Sequence, residues 1–189
     1  MENLNINGKR LILTEINRDD LPVLLEWRNT ETFQSNCMSY SKKCTLNELD
    51  DEISKAYKND RYVHFIARNT RNSAIGTSWI YRFNKQNLTG YTTTFVSEKY
   101  RKSHYYGAEM FILGCNFLFE TLKCRKVYCE VHENNNESME IFEKLGLPIE
   151  ARFKNHTSAG ENVYVDLLVF AVYKDNFYKN TFVKRMLTP

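Results

Sequence analysis

The chain has 189 residues with 26 Lys and Arg against 23 Asp and Glu, and a net charge of +3, spread apart from one turn, does not indicate a nucleic-acid surface. An apolar fraction of 42% with only three prolines and seven glycines describes one globular domain and excludes collagen-like or extensively disordered chains. The five cysteines, at 37, 44, 115, 124 and 129, include no CxxC pair and fit reduced structural thiols better than disulfides or a zinc site. Neither a signal-peptide core nor a membrane-spanning apolar run is present, so the expected location is the cytoplasm, with no membrane partner.

Arg10 to Ile16 alternates as a first strand. Asp19 or Asp20 then caps a helix with Pro22 in its first turn and Leu21, Leu24, Leu25 and Trp27 on its apolar side, ending at Arg28 and Asn29. Thr30 to Lys43 reads as a polar loop. Thr45 with Glu48 is a capping-box pattern and opens a second helix running to about Lys58. Three strands follow as a meander: Tyr62 to Arg68, Ile75 to Phe83 and Thr89 to Val96. A long apolar helix spans about Gly107 to Leu122, and Lys126 to His132 is the next strand. A short helix carries Ser138, Met139, Phe142 and Leu145 and stops at Gly146, which suits a left-handed cap. Ile149 to Phe153 and Val163 to Tyr173 close the pattern as two strands, before an aromatic, basic tail.

This order, β-α-α-β-β-β-α-β-α-β-β, predicts an α/β fold whose sheet is mostly antiparallel. One parallel join runs from the strand ending at Val96 through the long helix to the strand at Lys126. Ligands of open sheets sit beyond the carboxyl ends of parallel strands. Here that place holds Lys99, Arg101, Lys102 and His104, just before a helix whose first N–H groups and dipole suit a phosphate or pyrophosphate.

Five segments in order carry a family resemblance: GKRLILTEINRDDLPVLLEWRN, IGTSWIYRF, YRKSHYYGAEM, ENNNESMEIFEKLGL and ENVYVDLLVF. Together they resemble the GNAT-type N-acetyltransferases, in the branch of ribosomal-protein-alanine and nucleotide-linked amino-sugar acetyltransferases. The resemblance covers about residues 8–177 of a single domain and leaves 178–189 as tail. It implies a GNAT-like mixed, mostly antiparallel central sheet flanked by helices, with acetyl-CoA as co-substrate and no metal. The pyrophosphate is expected on the backbone from Lys102 through Ser103, His104, Tyr105, Tyr106 and Gly107 to Ala108. The pantetheine arm is expected between the strands ending at Val96 and His132, with Asn135 and Phe142 beside it and the backbone near Phe95 and Val96 polarising the thioester carbonyl.

The chain departs from that pattern in three places. Tyr105 replaces the middle glycine of the pyrophosphate loop, and Arg101 competes with Lys102 as its first position. Phe142 stands where many members have a tyrosine that protonates the leaving thiolate. Tyr91, Tyr105, Tyr106 and Ser138 are the substitutes; Ser138, one helical turn before Phe142, is preferred because it is similar in place to a serine proposed for this role in part of the branch, with a helix cap or backbone partner as its other use. The strand GYTTTFV carries no glutamate to deprotonate the amine. Tyr91 is nearest that position and Glu130 is the nearest carboxylate, alternation leaving solvent or a salt bridge as its other uses.

The resemblance implies an acceptor wall at the end of the first helix, making Trp27, Arg28 and Asn29 candidate wall residues, with Arg28 meeting an acidic or phosphorylated substrate or, alternatively, pairing with a nearby helix. Trp79, Tyr81 and Tyr91 are either pocket or core. Asp166, interrupting an apolar strand, is expected to pair with Arg152, and His104, His132 and His156 lack metal-ligand spacing. A lysine amine near ~10.4 is only about a tenth of a percent neutral at pH 7.4, whereas an α-amine near ~7.8 is about a quarter neutral. A weak base therefore suits an amine of lowered pKa. The leading acceptor is a small molecule such as a nucleotide-linked amino sugar, followed by a protein N-terminus. A donor held on an acyl carrier protein, a non-catalytic CoA-binding role and a homodimer stay open.

Overall fold

The computed structural model describes residues 4–37, 43–58, 62–102, 105–160 and 162–188. Its strands are β1 (Asn5–Asn7), β2 (Leu11–Glu15), β3 (Val63–Asn69), β4 (Ala74–Asn84), β5 (Thr89–Val96), β6 (Lys126–His132), β7 (Ile149–Gly160) and β8 (Val163–Tyr173). Among the described residues they make one sheet of order β1-β2-β3-β4-β5-β6-β8-β7. All neighbours pair antiparallel except β5 with β6. The mixed sheet with one parallel join is thus the one the element order implied.

Helices α1 (Leu21–Arg28), α2 (Glu31–Asn36) and α3 (Leu46–Tyr57) cover one face, where Leu24, Trp27, Phe33 and Leu49 pack with Ile66 and Phe95. The opposite face carries α5 (Tyr106–Glu120), preceded by a single turn, α4 (Glu98–Arg101). Its apolar residues Met110, Ile112, Leu113 and Leu118 are fully or nearly fully buried. Missing side chains allow this close contact. A Cβ on Gly114 would lie 2.7 Å from Thr92 Oγ1, and one on Gly90 2.6 Å from Leu118 Cδ2. The first turn of α5 is also tied to the β1–β2 connection, since buried Glu109 accepts from Arg10 N and Arg10 Nε, each at 2.8 Å.

The capping box of α3 forms as its residues require: Thr45 N donates to Glu48 Oε2 at 2.7 Å and Glu48 N to Thr45 Oγ1 at 3.3 Å. Gly146 takes the left-handed conformation, φ 65°, after α6 (Asn136–Lys144). Besides the added edge strand β1 and the turn α4, four features differ from the sequence reading. Asp20 stands at the N-cap of α1 but makes no side-chain cap bond, being buried against Arg68, and Asn17 caps the short turn before it, accepting from Asp19 N at 2.8 Å. The polar stretch after Asn29 contains α2, because buried Phe33 anchors a turn capped by Thr30 between Phe95 and Trp79. β7 continues beyond Phe153 through a register shift to Gly160. Finally, the tail folds as α7 (Lys174–Lys179) and α8 (Thr181–Leu187), burying Phe177, Val183 and Met186.

What positions the site is a split in the sheet. β5 stays paired with β4 as far as Val96, yet pairs with β6 only at Thr89, Gly90 and Tyr91. β6 instead follows β8 along its whole length. Beyond Tyr91 the two strands part, and a V opens toward the start of α5.

Candidate active site

The V holds a cavity of about 560 Å³. Its walls are Thr92 to Val96 on β5 and Cys129 to Val131 on β6, its end is Gly107 and Ala108 on α5, and its flank is Asn135, Ser138 and Phe142 at α6. Helix geometry leaves the first-turn N–H groups of α5 without intrahelical partners, the first closing bond being Glu109 N to Tyr105 O at 3.0 Å. A Cβ on Gly107 would stand 3.5 Å from Val96 Cγ2 and 3.6 Å from Ile141 Cδ1, so its absence leaves a concavity between strand and helix. The donor set fits a pyrophosphate: main-chain N–H groups, the positive end of a helix, and Lys102 and Arg101 at the rim.

Tyr105, in the place of a loop glycine, adopts the glycine-like conformation itself, φ 56° and ψ 30°. The residue is 56% exposed and its side chain turns toward Phe182, ring centres 6.2 Å apart, with Lys144 Nζ 5.3 Å from the ring. The ring therefore lies against α8 and α6. Tyr106 is half-buried against Tyr100 and is not part of the cavity wall. Ser103 and His104 lie outside the described residues.

Asn135 caps α6, its Oδ1 accepting from Ser138 N at 3.2 Å. Because Asn135 does this work, the Ser138 hydroxyl is left without a hydrogen-bond partner among the described residues, on the cavity wall. Phe142, one turn on, is buried against Phe111 and Phe170 at 5.1 and 4.9 Å between ring centres.

Glu130 also faces the cavity, and its side chain is only 9% exposed. It pairs with Arg82 Nη1 at 2.9 Å and accepts from Tyr81 Oη at 3.4 Å. Tyr81, Tyr91 and Tyr128 stand in register across β4, β5 and β6, with ring centres 5.4 and 5.0 Å apart, and burial raises the pKa of the first two hydroxyls. Tyr81 and Tyr91 adjoin the cavity through Glu130 and do not line it.

The residues proposed for the acceptor wall lie deeper. Trp27 packs on Phe95 with ring centres 6.4 Å apart, Arg28 pairs with Glu52 at 2.7 Å, and the Asn29 side chain holds both Cys44 N and Cys44 O at 2.9 Å. Trp79 packs against Phe33 and His64. His64 is itself buried, bonded to Thr77 Oγ1 at 2.6 Å and Tyr62 Oη at 3.1 Å, and burial pushes its pKa down to about 3. Asp166 pairs with Arg152, as its place in an apolar strand suggested, and also accepts from Asn155 N at 2.8 Å. Sequence reasoning missed Asn36 and Cys37, which line the cavity because α2 brings them there, and Arg82. Thr93 was legible in principle: it lies between Tyr91 and Phe95 on one face of β5.

Residues 10–148 match the family model of the acetyltransferase (GNAT) domain. The chain belongs to the GNAT acetyltransferases. Over 173 residues, 92% of this chain and 95% of its relative, it is 25% identical to an uncharacterized SPbeta prophage-derived N-acetyltransferase of Bacillus subtilis. Its fold resembles that of the spermidine N-acetyltransferase of Vibrio cholerae solved with CoA and spermine, at TM-score 0.81, 15% identity and coverage of 88% and 97% of the two chains. A dodecameric form of the Vibrio enzyme superposes at TM-score 0.76, 15% identical over 91% of this chain and 98% of that one. This GNAT chain is thus an N-acetyltransferase. Among the described residues it has no cluster of His, Cys, Asp and Glu able to hold a metal, and no helix long and apolar enough to cross a membrane.

Proposed function

We propose that this acetyltransferase acetylates the primary amine of a small molecule, with an amine of lowered pKa such as that of a nucleotide-linked amino sugar as the leading acceptor. The observation that carries the reading is the cavity where β5 leaves β6, ending on the open first turn of α5. Gly107 and Ala108 N–H groups with Lys102 take the pyrophosphate, Asn135 and Phe142 flank the pantetheine arm, and the β5 backbone at Phe95 and Val96 meets the thioester carbonyl. Bound there, acetyl-CoA supplies an activated acyl group. Holding amine and thioester in line is the main catalytic contribution.

Two side chains handle protons in this reading. Ser138, its hydroxyl not engaged in capping, passes a proton to the departing thiolate while taking one from solvent water, so that it ends as the neutral hydroxyl. Glu130 receives the amine proton, directly or through water. One Glu130 oxygen is already engaged by Arg82 Nη1 at 2.9 Å, which leaves it less free to take a proton and suits an amine already partly neutral at pH 7. Calorimetric titration with acetyl-CoA, followed by an amine screen reading released thiol, tests the proposal. Micromolar binding and thiol release with a small amine are expected; absence of detectable acetyl-CoA binding overturns it.

A further inference from the structure

Neighbouring side chains on a regular strand point to opposite faces. Tyr81 and Arg82 both reach Glu130 instead, through Tyr81 Oη at 3.4 Å and Arg82 Nη1 at 2.9 Å. A bulge is the cause. The pairing of β4 with β5 shifts between Tyr81 and Asn84, and Arg82 takes φ 49°, a left-handed conformation that side-chain-bearing residues avoid. The strand is bent out of its regular form at the residue whose side chain must change face.

The guanidinium so delivered stands 5.6 Å from the centre of the Tyr81 ring and 5.2 Å from that of Tyr91. A carboxylate beside two aromatic rings is a seat suited to an alkylammonium ion. Here the chain fills it with its own cation. The seat adjoins the reaction cavity, because Glu130 and Thr93 line that cavity and Thr93 Oγ1 lies 3.2 Å from Tyr81 Oη. The Arg82 side chain is 60% exposed, so its outward N–H groups can be approached from solvent while Glu130 holds Nη1.

We infer that Arg82 is a specificity-determining residue: it occupies the Glu130–tyrosine cation seat, excludes the second ammonium of a polyamine, and favours amines carrying an anionic group. This deepens the proposed acetylation of a small amine and rests on it. A fold shared with spermidine acetyltransferases does not by itself bring polyamine use to this chain; the occupant of this seat decides against it.

The test is calorimetric titration of spermidine and of phosphoethanolamine into the protein, with and without saturating CoA, for wild type, Arg82→Ala, Arg82→Lys and Glu130→Gln. Wild type is expected to bind phosphoethanolamine at least about tenfold more tightly than spermidine. Arg82→Ala reverses the order, Arg82→Lys retains it, and Glu130→Gln, which releases Arg82 from its partner, tightens phosphoethanolamine further. Circular dichroism melting verifies folding, and if Arg82→Ala does not fold, the Lys and Gln variants still decide. Wild-type preference for spermidine, binding of neither amine, or a ratio indifferent to Arg82 and Glu130 overturns the inference. Failure of CoA to bind would instead overturn the proposed function, and the amine titrations without CoA keep the two outcomes apart.

Discussion

Arg10→Ala removes one half of the contact that fastens the β1–β2 connection to the helix start on which the pyrophosphate site rests. The Glu109 side chain has no solvent exposure, whereas that of Arg10 is 30% exposed. Truncating Arg10 strands a carboxylate whose one remaining hydrogen-bond partner among the described residues is the Arg10 main-chain N–H, 2.8 Å away. Breaking a buried ion pair from one side costs about 3–5 kcal/mol. At about 2–4 °C per kcal/mol for a chain of this size, the melting temperature should fall by about 6–20 °C. Adding Glu109→Gln to Arg10→Ala replaces the stranded charge by a neutral amide and should recover about 1–3 kcal/mol. Urea unfolding followed by the fluorescence of Trp27 and Trp79, both in the core opposite α5, gives the three stabilities. A loss below about 1 kcal/mol for Arg10→Ala, or a double variant no more stable than the single, would refute the assignment of a buried, uncompensated charge.

His64, with its pKa pushed down to about 3, stays neutral in the fold while the unfolded chain takes up a proton near pH 6.5. Its stabilising contribution is complete above that pH and is lost as pH falls toward 3, by up to about 1.4 kcal/mol per pH unit; His64→Gln should flatten that slope in denaturant titrations between pH 4 and 6.5. Thr92 Oγ1 is buried with no partner among the described residues, so Thr92→Val should stabilise by about 1 kcal/mol, read as a higher urea midpoint at unchanged slope. Cys37, Cys115, Cys124 and Cys129 are buried, and burial raises their thiol pKa values, that of Cys37 to about 12 and that of Cys124 to about 11. Cys44, half-buried, should therefore react first with a thiol reagent in the native protein, and Cys44→Ser should abolish the fast phase.

Thr89–Val96, Lys126–His132 and Val163–Tyr173 were readable to the residue, because each is a run of β-formers lying between polar stretches. α2 was not, since a single buried phenylalanine holds it in an otherwise polar stretch. The α5 and α6 walls of the site lay within contiguous motifs and could be located from sequence. The Arg82–Glu130 pair joins residues 48 apart through a bulge, and a period-two reading of β4 sends Arg82 to the wrong face. Trp27 and Asn29 show the opposite limit: sequence placed them near an acceptor wall, while the packing of Trp27 on Phe95 and the hold of Asn29 on Cys44 give them structural duties.

The three-residue join between β5 and β6 makes the sheet two panels sharing a short seam, β1 to β5 on one side and β6, β8 and β7 on the other. Past Tyr91 each panel presents main-chain groups that the other does not satisfy, in the interior of a sheet where a continuous ladder would otherwise close them off. The opening is thus built from peptide edges as much as from side chains. A guest carrying amide groups along an extended arm can bridge those edges, so loading the seam should slow hydrogen exchange on both panels together, including at residues that never touch the guest.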